Sequence, residues 1–540
     1  MQLLRPLDAA GWRRALWLLV LALAWLSARL GQDNNWDLHN YHLYAPFALL
    51  NGKVGLDLGA GQWQGYFNPS MDLLYYALVM HLPAPLTSLL MGALHGLNGV
   101  LLALLAVELL PRRNGRPAWE LSLLLAGLGC MGPAFMTELG SSMGDNTSAL
   151  CVLGALLLVV RGARNGGDGR WRLPPMQLLL AAGVVMGLGA GLKLTNAIYA
   201  LALCLALGVL PGRPWLRLRA AWWYGWAVLA GIALSAGHWY WRMWQVFGNP
   251  FFPQFNNLFG SPLAAPVGIG DTGWLPRTLL ERLLWPFLCL LEPRRISEQP
   301  FRHLLWPLLY VLGSVLLVLA LRAWLRRKPG PLAAAPGTAL LFTFATVAYL
   351  LWLNLFSIYR YLVPQELLAP LLTWLLVTRL WPGVRGRRLA LACVLIGALS
   401  LASRGDWGRG GRNWQAFDVE VPPLAAPGAT AVVALAADPP LGWLAAFYPK
   451  EVAFLSLGAG FPESPAYVAQ AQRLLSARPQ RYVMLGPGPL AELAQAQPML
   501  QRYGWQALPD SCRHYRAAIG HARHAYTLCE LRPLAGPGGT

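Results

Sequence analysis

The residues in this sequence whose types and spacing suit chemistry lie in short polar runs between long apolar ones. The first run is Gln32-Asp33-Asn34-Asn35-Trp36-Asp37-Leu38-His39-Asn40-Tyr41-His42. A carboxylate at a bilayer surface, here Asp37, is placed to act as a general base; capping the start of a loop helix is its plain structural alternative. The second run, Thr137-Glu138-Leu139-Gly140-Ser141-Ser142-Met143-Gly144-Asp145-Asn146, carries two more carboxylates, Glu138 and Asp145. Asp145 also suits the N-cap of the following helix, yet carboxylates at membrane depth are costly and usually functional. Lys193 is one of only four lysines (Lys53, Lys193, Lys328 and Lys450), and it sits at the hairpin of two apolar runs after Gly183, Gly187 and Gly191. It reads either as a lysine reaching for water or as a cation for a phosphate. Arg242, in His238-Trp239-Tyr240-Trp241-Arg242, is a helix anchor or a second such cation. Arg360, in Ser357-Ile358-Tyr359-Arg360-Tyr361-Leu362-Val363-Pro364, is a third.

Something long and apolar must position these groups. The chain has 540 residues, of which 56% are hydrophobic and only 12% charged, and its mean hydropathy is +0.43. That excludes a disordered chain and an ordinary soluble enzyme, for which about a quarter of residues are charged. About 20 apolar residues cross a bilayer core, and the sequence predicts about eleven spans: 13–31, 84–110, 118–136, 146–160, 175–191, 194–210, 220–238, 303–321, 337–356, 362–380 and 388–402. Every second connection is rich in arginine: Arg13 and Arg14; Arg112, Arg113 and Arg116; Arg161, Arg164, Arg170 and Arg172; Arg213, Arg217 and Arg219; Arg322, Arg326, Arg327 and Lys328; Arg385, Arg387 and Arg388. Cytoplasmic loops carry that excess. The net charge of +19 therefore reads as topology and not as nucleic-acid binding. The N-terminus is expected in the cytoplasm. The loops 32–83 and 239–302 and the tail 403–540 are expected on the outer face. Within loop one, Tyr41, Tyr44 and Phe47 predict a short interfacial helix ended by Asn51-Gly52, and a second amphipathic stretch follows Asn68-Pro69.

Residues 1–402 are thus read as an all-α polytopic membrane domain and 403–540 as a small α/β soluble domain. The domain starts after a Gly-rich linker, and its strand-like runs at 431–436, 452–457, 482–485 and 526–531 alternate with helical ones at 441–448, 465–476 and 490–503. Cys512 and Cys529 stand alone in it and are expected to form a disulfide in an oxidising compartment. The other five cysteines lie in apolar stretches as packing residues. No metal spacing of Cys and His occurs, and no nucleotide motif.

The acidic residue after the first span, the loop with two interfacial helices, the run Asn249-Pro250-Phe251-Phe252-Pro253-Gln254-Phe255-Asn256 and the turn Arg360-Tyr361-Leu362-Val363-Pro364 together resemble the polyprenol-phosphate-dependent glycosyltransferases of the GT-C superfamily. That superfamily includes protein O-mannosyltransferases and lipid A aminoarabinose transferases. The resemblance covers residues 13–402; the tail matches only the family habit of an outside soluble domain. It implies a hexosyl or pentosyl transferase that uses a polyprenyl-phosphate sugar on the outer face of a bacterial inner membrane. It further implies Asp37 as catalytic residue, a function that Asp33 also competes for, since members often carry adjacent acidic residues where this chain has Asp37-Leu38. The expected mechanism is metal-independent, for want of a D-x-D, and inverting, with a lipid-linked donor in place of a cofactor and a glycan, lipid or protein as acceptor. Lys193, Arg242 and Arg360 are expected to stabilise the departing phosphate. Glu138, Asp145 and His39 are expected to hold sugar hydroxyls, and aromatic side chains such as Tyr41 and Tyr361 to stack on the sugar. An O-antigen ligase or polymerase with a pyrophosphate-linked donor is the enzymatic alternative. A lipid or sugar transporter is the other; it predicts a ladder of charges along the spans and pseudo-symmetric halves, and the sequence shows neither such a ladder nor an internal repeat.

Overall fold

The computed structural model describes residues 7–534 apart from 113–114, 165–170, 400–404, 436, 459 and 487–488. Arg113, Arg170 and the start of the linker at 403–404 lie outside the described residues. Backbone contacts divide the chain into two compact units. One comprises Met1–Arg29, Leu89–Ala236 and Asp271–Asp406, and the other Leu30–Ser88, Gly237–Gly270 and Trp407–Thr540. The sequence reading cuts the chain once, near 402. By its contacts, loop one and the first part of the loop 239–302 belong with the tail, while 271–302 belongs with the helices.

The first unit is helical. Six of the described helices are long and apolar enough to cross a membrane: Ala9–Arg29, Ala84–Leu109, Asp145–Arg164, Leu305–Leu325, Pro336–Leu355 and Tyr359–Leu380. Shorter apolar helices are Trp119–Gly129, Met176–Leu192 and Leu194–Val209. Helices also occupy 214–247 and 384–399, so each expected span corresponds to a helix. The expected span 118–136 is divided. Its helix stops at Gly129, and a new short one, Pro133–Thr137, begins at a proline, whose ring has no N–H to give and crowds the carbonyl four residues back. That break turns the chain so that Glu138 follows directly.

The second unit is built on the tail. Strands β1 to β9 are Phe417–Val419, Thr430–Leu435, Ala453–Leu457, Gln480–Leu485, Trp505–Ala507, Arg513–Tyr515, Ala517–Ile519, Ala522–Arg523 and Tyr526–Pro533. The main sheet has the order β3-β2-β4-β9-β5, with β6 also on β9. β2 runs parallel to β3 and β4, and β9 antiparallel to β4, β5 and β6. β2 and β3 are buried along their whole length, as parallel strands covered on both faces are. Helices Pro465–Ser476 and Pro489–Arg502 follow β3 and β4. Cys512 and Cys529 are disulfide-bonded.

Loop one is part of this unit. Leu58 N–H donates to the Phe454 carbonyl on β3, and Ser456 N–H donates to the Leu58 carbonyl, which pairs the loop with the edge of the sheet. Gln32 and Gly410 pair in the same reciprocal way. A Cβ on Gly31 would lie 2.6 Å from the Gly410 oxygen, so the linker backbone lies directly on loop one. The expected helices are present as Tyr44–Leu50, after a wide turn Leu38–His42, and as Asp72–His81. Their aromatic rings are not interfacial, however: Tyr41, Tyr44 and Phe47 are buried in the unit's core. The sheet and the linker supply apolar cover that a reading of the loop alone assigns to lipid.

Candidate active site

In the helical unit, four charged side chains from distant parts of the chain meet. Helix Asp145–Arg164 starts with Asp145, and the turn before it is made by Gly140 and Gly144, both with positive φ. Lys193 ends helix Met176–Leu192 in an extended conformation. That helix lies hard against Pro214–Phe247: a Cβ on Gly187 would strike the Val228 carbonyl oxygen and one on Gly191 the Ser235 hydroxyl. The glycine stripe therefore brings the backbones together and sets the height of Lys193. Lys193 Nζ is 2.7 Å from Asp145 Oδ1 and donates to the Met143 carbonyl at 2.9 Å. It also stands 5.4 Å from the centre of the Tyr361 ring. Arg360 stands at the same 5.4 Å from that ring, with Nη1 on Met143 Sδ at 3.7 Å and Nε 3.7 Å from Glu298 Oε1. The two cations thus share Tyr361 and Met143. Their compensating charge is carboxylate from afar, Asp145 for Lys193 and Glu298 for Arg360.

Glu138 is fully buried, and neither of its carboxyl oxygens accepts a hydrogen bond from the described residues. Asp145 Oδ2 is likewise buried and unbonded. Burial first, and the neighbouring Asp145 second, push the Glu138 carboxyl well above the usual carboxylate range, against the pull of Lys193 and Arg360. Three buried acceptor atoms beside two cations are costly unless something bonds to them.

Residues that the sequence reading did not single out hold this cluster. His95 Nδ1 accepts from Gly140 N–H at 2.9 Å, and its Nε2 bonds Thr147 Oγ1 at 3.0 Å. Asn98 donates to the Asn146 carbonyl, and Asn146 to the Phe135 carbonyl, each at 2.8 Å. Glu366 accepts the N–H groups of Ala134 and Phe135 at 3.3 and 2.9 Å, together with Tyr359 OH at 2.8 Å. Its carboxylate thereby caps the short helix that delivers Glu138. Tyr199 OH donates to the Tyr361 carbonyl at 2.6 Å. A His or Asn inside an apolar run is the one sequence signal these residues give.

The second unit holds the remaining candidates. Asp37 is nearly buried and opens the turn Leu38–His42. The turn is set by Asn35, whose Oδ1 accepts Leu38 N–H at 2.8 Å while its Nδ2 donates to Asp33 Oδ1 at 2.7 Å. Asp33 thus braces the loop through Asn35. Asn34 Oδ1 receives Nε2 of both His39 (2.8 Å) and His524 (2.9 Å), and Asn34 Nδ2 donates to the Gly408 carbonyl. His39 also packs edge-on to Trp443. Burial, with the charge of His524 second, lowers the pKa of His39 to about 3. His39 and Tyr41 are core residues here, Tyr41 packing against Phe67 and His42. Arg242 is exposed on its helix. The Asn249–Asn256 run is a turn bonded to itself and to the segment after it: Asn249 Oδ1 accepts Phe251 N–H, and Asn256 bonds the backbone of Ser261, Ala264 and Ala265. Among the described residues no group of three or more His, Cys, Asp or Glu is arranged to hold a metal ion.

No known family model matches this chain, and no curated protein matches it. Among solved structures, the oligosaccharyltransferase of Archaeoglobus fulgidus, in complex with zinc and sulfate, is similar over 90% of this chain and 69% of its own, at 13% identity and a TM-score of 0.44. ArnT from Cupriavidus metallidurans is similar over 96% of this chain and 98% of its own. Bound to undecaprenyl phosphate it matches at 16% identity and a TM-score of 0.39; in the apo state it matches at 15% and 0.40. The fold class itself is the one expected from the sequence, a polytopic helical part followed by a small α/β domain.

Proposed function

We propose that this chain is a GT-C membrane glycosyltransferase that moves a sugar from a polyprenyl-phosphate donor to a hydroxyl or amine acceptor on the outer face of the bacterial inner membrane. The observation that carries this reading is the cluster around Tyr361. Lys193 and Arg360 offer two cations over one tyrosine, and Glu138 and Asp145 beside them offer three buried oxygens without hydrogen bonds. Cations suit a phosphate, and carboxyl oxygens suit sugar hydroxyls; a sugar phosphate presents both. A phosphate oxygen beside Lys193 takes the place that Asp145 Oδ1 holds, which frees a second Asp145 oxygen for the sugar.

In this reading the acceptor oxygen or nitrogen loses its proton to Asp37 as it attacks the anomeric carbon. The carbon–oxygen bond to phosphate breaks, and the polyprenyl phosphate leaves with the electron pair, so the configuration inverts. Lys193 and Arg360 stabilise the charge that grows on the leaving phosphate, and such terms are large in catalysis. Asp33, bonded to Asn35, is the brace of the loop and Asp37 its reactive member.

The test is the purified protein reconstituted in vesicles with undecaprenyl-phosphate sugars, following the donor lipid by mass spectrometry. Donor is consumed, and free undecaprenyl phosphate appears, with the wild-type chain, and at least about tenfold more slowly with Lys193→Met. Consumption of a pyrophosphate-linked oligosaccharide instead would make the chain a ligase or polymerase. Lipid translocation without loss of the sugar would make it a transporter.

A further inference from the structure

A cavity of about 420 Å³ lies between helix ends of the first unit, walled by Leu316, Leu317, Pro331, Ala339 and Phe342 and carrying one charged lining residue, Arg217. Arg217 gives one Nη1 hydrogen bond to the Gly208 carbonyl at 3.1 Å. Its Nε is buried and has no acceptor among the described residues. The lining segments offer no carboxylate: residues 194–220 and 304–355 contain neither Asp nor Glu. They contain Arg213, Arg219, Arg322, Arg326, Arg327 and Lys328 instead, all exposed. Val209, in the wall, and Lys193 are at opposite ends of helix Leu194–Val209, so roughly 24 Å of helix separates this cavity from the Tyr361 cluster.

An apolar wall with one half-buried guanidinium, whose buried Nε has no acceptor among the described residues, at an Arg-rich end of a bundle asks for an anion with a hydrocarbon body. Basic pockets between membrane helices hold lipid head groups in this way, and guanidinium matches phosphate oxygens in its fixed fork. We propose that this cavity is a binding site for one anionic glycerophospholipid, its phosphate on Arg217 and its glycerol and first methylenes against Leu316, Leu317, Ala339 and Phe342. The site is independent of the sugar-transfer reading, and its lipid is a resident of the membrane rather than a reactant.

The experiment is native mass spectrometry of the full-length protein in neutral detergent, titrated with phosphatidylglycerol or phosphatidylcholine. One phosphatidylglycerol binds roughly fivefold more tightly than phosphatidylcholine, whose choline ammonium offsets the phosphate charge and is repelled by Arg217. Arg217→Gln removes that preference. Ala339→Trp keeps every charge, fills the cavity and weakens binding of phosphatidylglycerol by a similar factor. The pair Arg326→Gln and Arg327→Gln, on exposed residues, changes it less than twofold. Equal binding of the two lipids, or full preference retained in both Arg217→Gln and Ala339→Trp, overturns the proposal. Competition by millimolar inorganic phosphate that displaces the lipid completely overturns it too, since the site would then be one for free phosphate.

Discussion

Two buried clusters of charge, one in each unit, are completed in opposite ways. In the tail unit, Lys53 is as buried as any leucine, yet its Nζ gives hydrogen bonds to the Lys450 and Val452 carbonyls and faces Asp57 at 3.2 Å. Asp57 in turn accepts from Phe454 N–H and Tyr44 OH; burial still pushes its carboxyl up to about 6. Each group there is spent on another part of the protein. Around Tyr361 the count does not close, because Glu138 and Asp145 keep three oxygens that no described residue bonds. A closed network rigidifies a fold, whereas one left open at stated atoms is arranged for something else. Charge and burial alone therefore do not mark a site; three unbonded carboxyl oxygens beside two cations separate this cluster from Lys53 and Asp57.

The sharpest way to break this contrast is Asp37→Asn. Asp37 belongs to the unit that holds Lys53 and Asp57, and the proposed reaction requires it to act as the base. Expression and melting temperature stay near those of the wild type, and transfer in the vesicle assay falls roughly 10²- to 10⁴-fold, the range for a general base. Retention of more than a tenth of the wild-type rate would move the base to Asp33 or Glu138. Next come the cations. Lys193→Met and Arg360→Gln each lose a charge-assisted contact of about 1.5–3 kcal/mol, or roughly 10- to 150-fold in rate. Arg360→Lys recovers little, since an ammonium does not copy the planar fork. If only the melting temperature moves, the cluster is architecture like Lys53.

The packing of loop one in the tail unit is tested by pH. The pKa of His39 is about 3 in the folded chain against an ordinary 6.5, so its contribution is complete above 6.5 and is lost as pH falls from there towards 3. At pH 5 the loss is on the order of 2 kcal/mol. Protection against hydrogen exchange in peptides covering 32–44 and 515–530, corrected for the slower intrinsic exchange at low pH, falls between pH 7 and pH 5, and His39→Gln removes that part of the change. Equal pH dependence in the variant would show that the imidazole is not the proton acceptor. The smallest effect is expected of Glu138→Gln, which mimics the uncharged carboxyl that burial favours. Its melting temperature at neutral pH does not fall below that of the wild type, and transfer drops about tenfold if the oxygens serve the sugar. A clear loss of stability would mean that the charged form is the native one.

Apolar length and arginine loops made the helical part legible, because a lipid solvent leaves the backbone few choices. The tail's parallel strands and its disulfide were legible from runs of apolar residues and from two lone cysteines. The short strands β1 and β5 to β8 were not, since three residues carry no periodicity. Lys193, Arg360, Glu138 and Asp145 stood out as charges between apolar runs, and the structure groups them. His39 and Tyr41 stood out for the same reason and proved to be core, because the groups that cover them, Trp443, His524 and Phe67, come from elsewhere in the chain. The Asn-Pro run that supported the family resemblance is bonded to itself and to the residues just after it. A polar residue's partner is a property of the tertiary fold, and for these residues no local pattern reveals it.

The pairing of loop one with the tail also sets a timetable for synthesis. Asp57 and Phe454 are 397 positions apart, and Asn34 reaches Gly408 across 374. At about 5–20 residues per second, loop one leaves the ribosome roughly 20–80 s before the strand that completes its hydrogen bonds. Until then Leu58 has no sheet edge to join, and the turn that presents Asp37 lacks its outer brace. The chain therefore acquires the loop bearing its proposed base last, whatever the order in which the helices insert. Truncation within the tail would disarm residues that were made first.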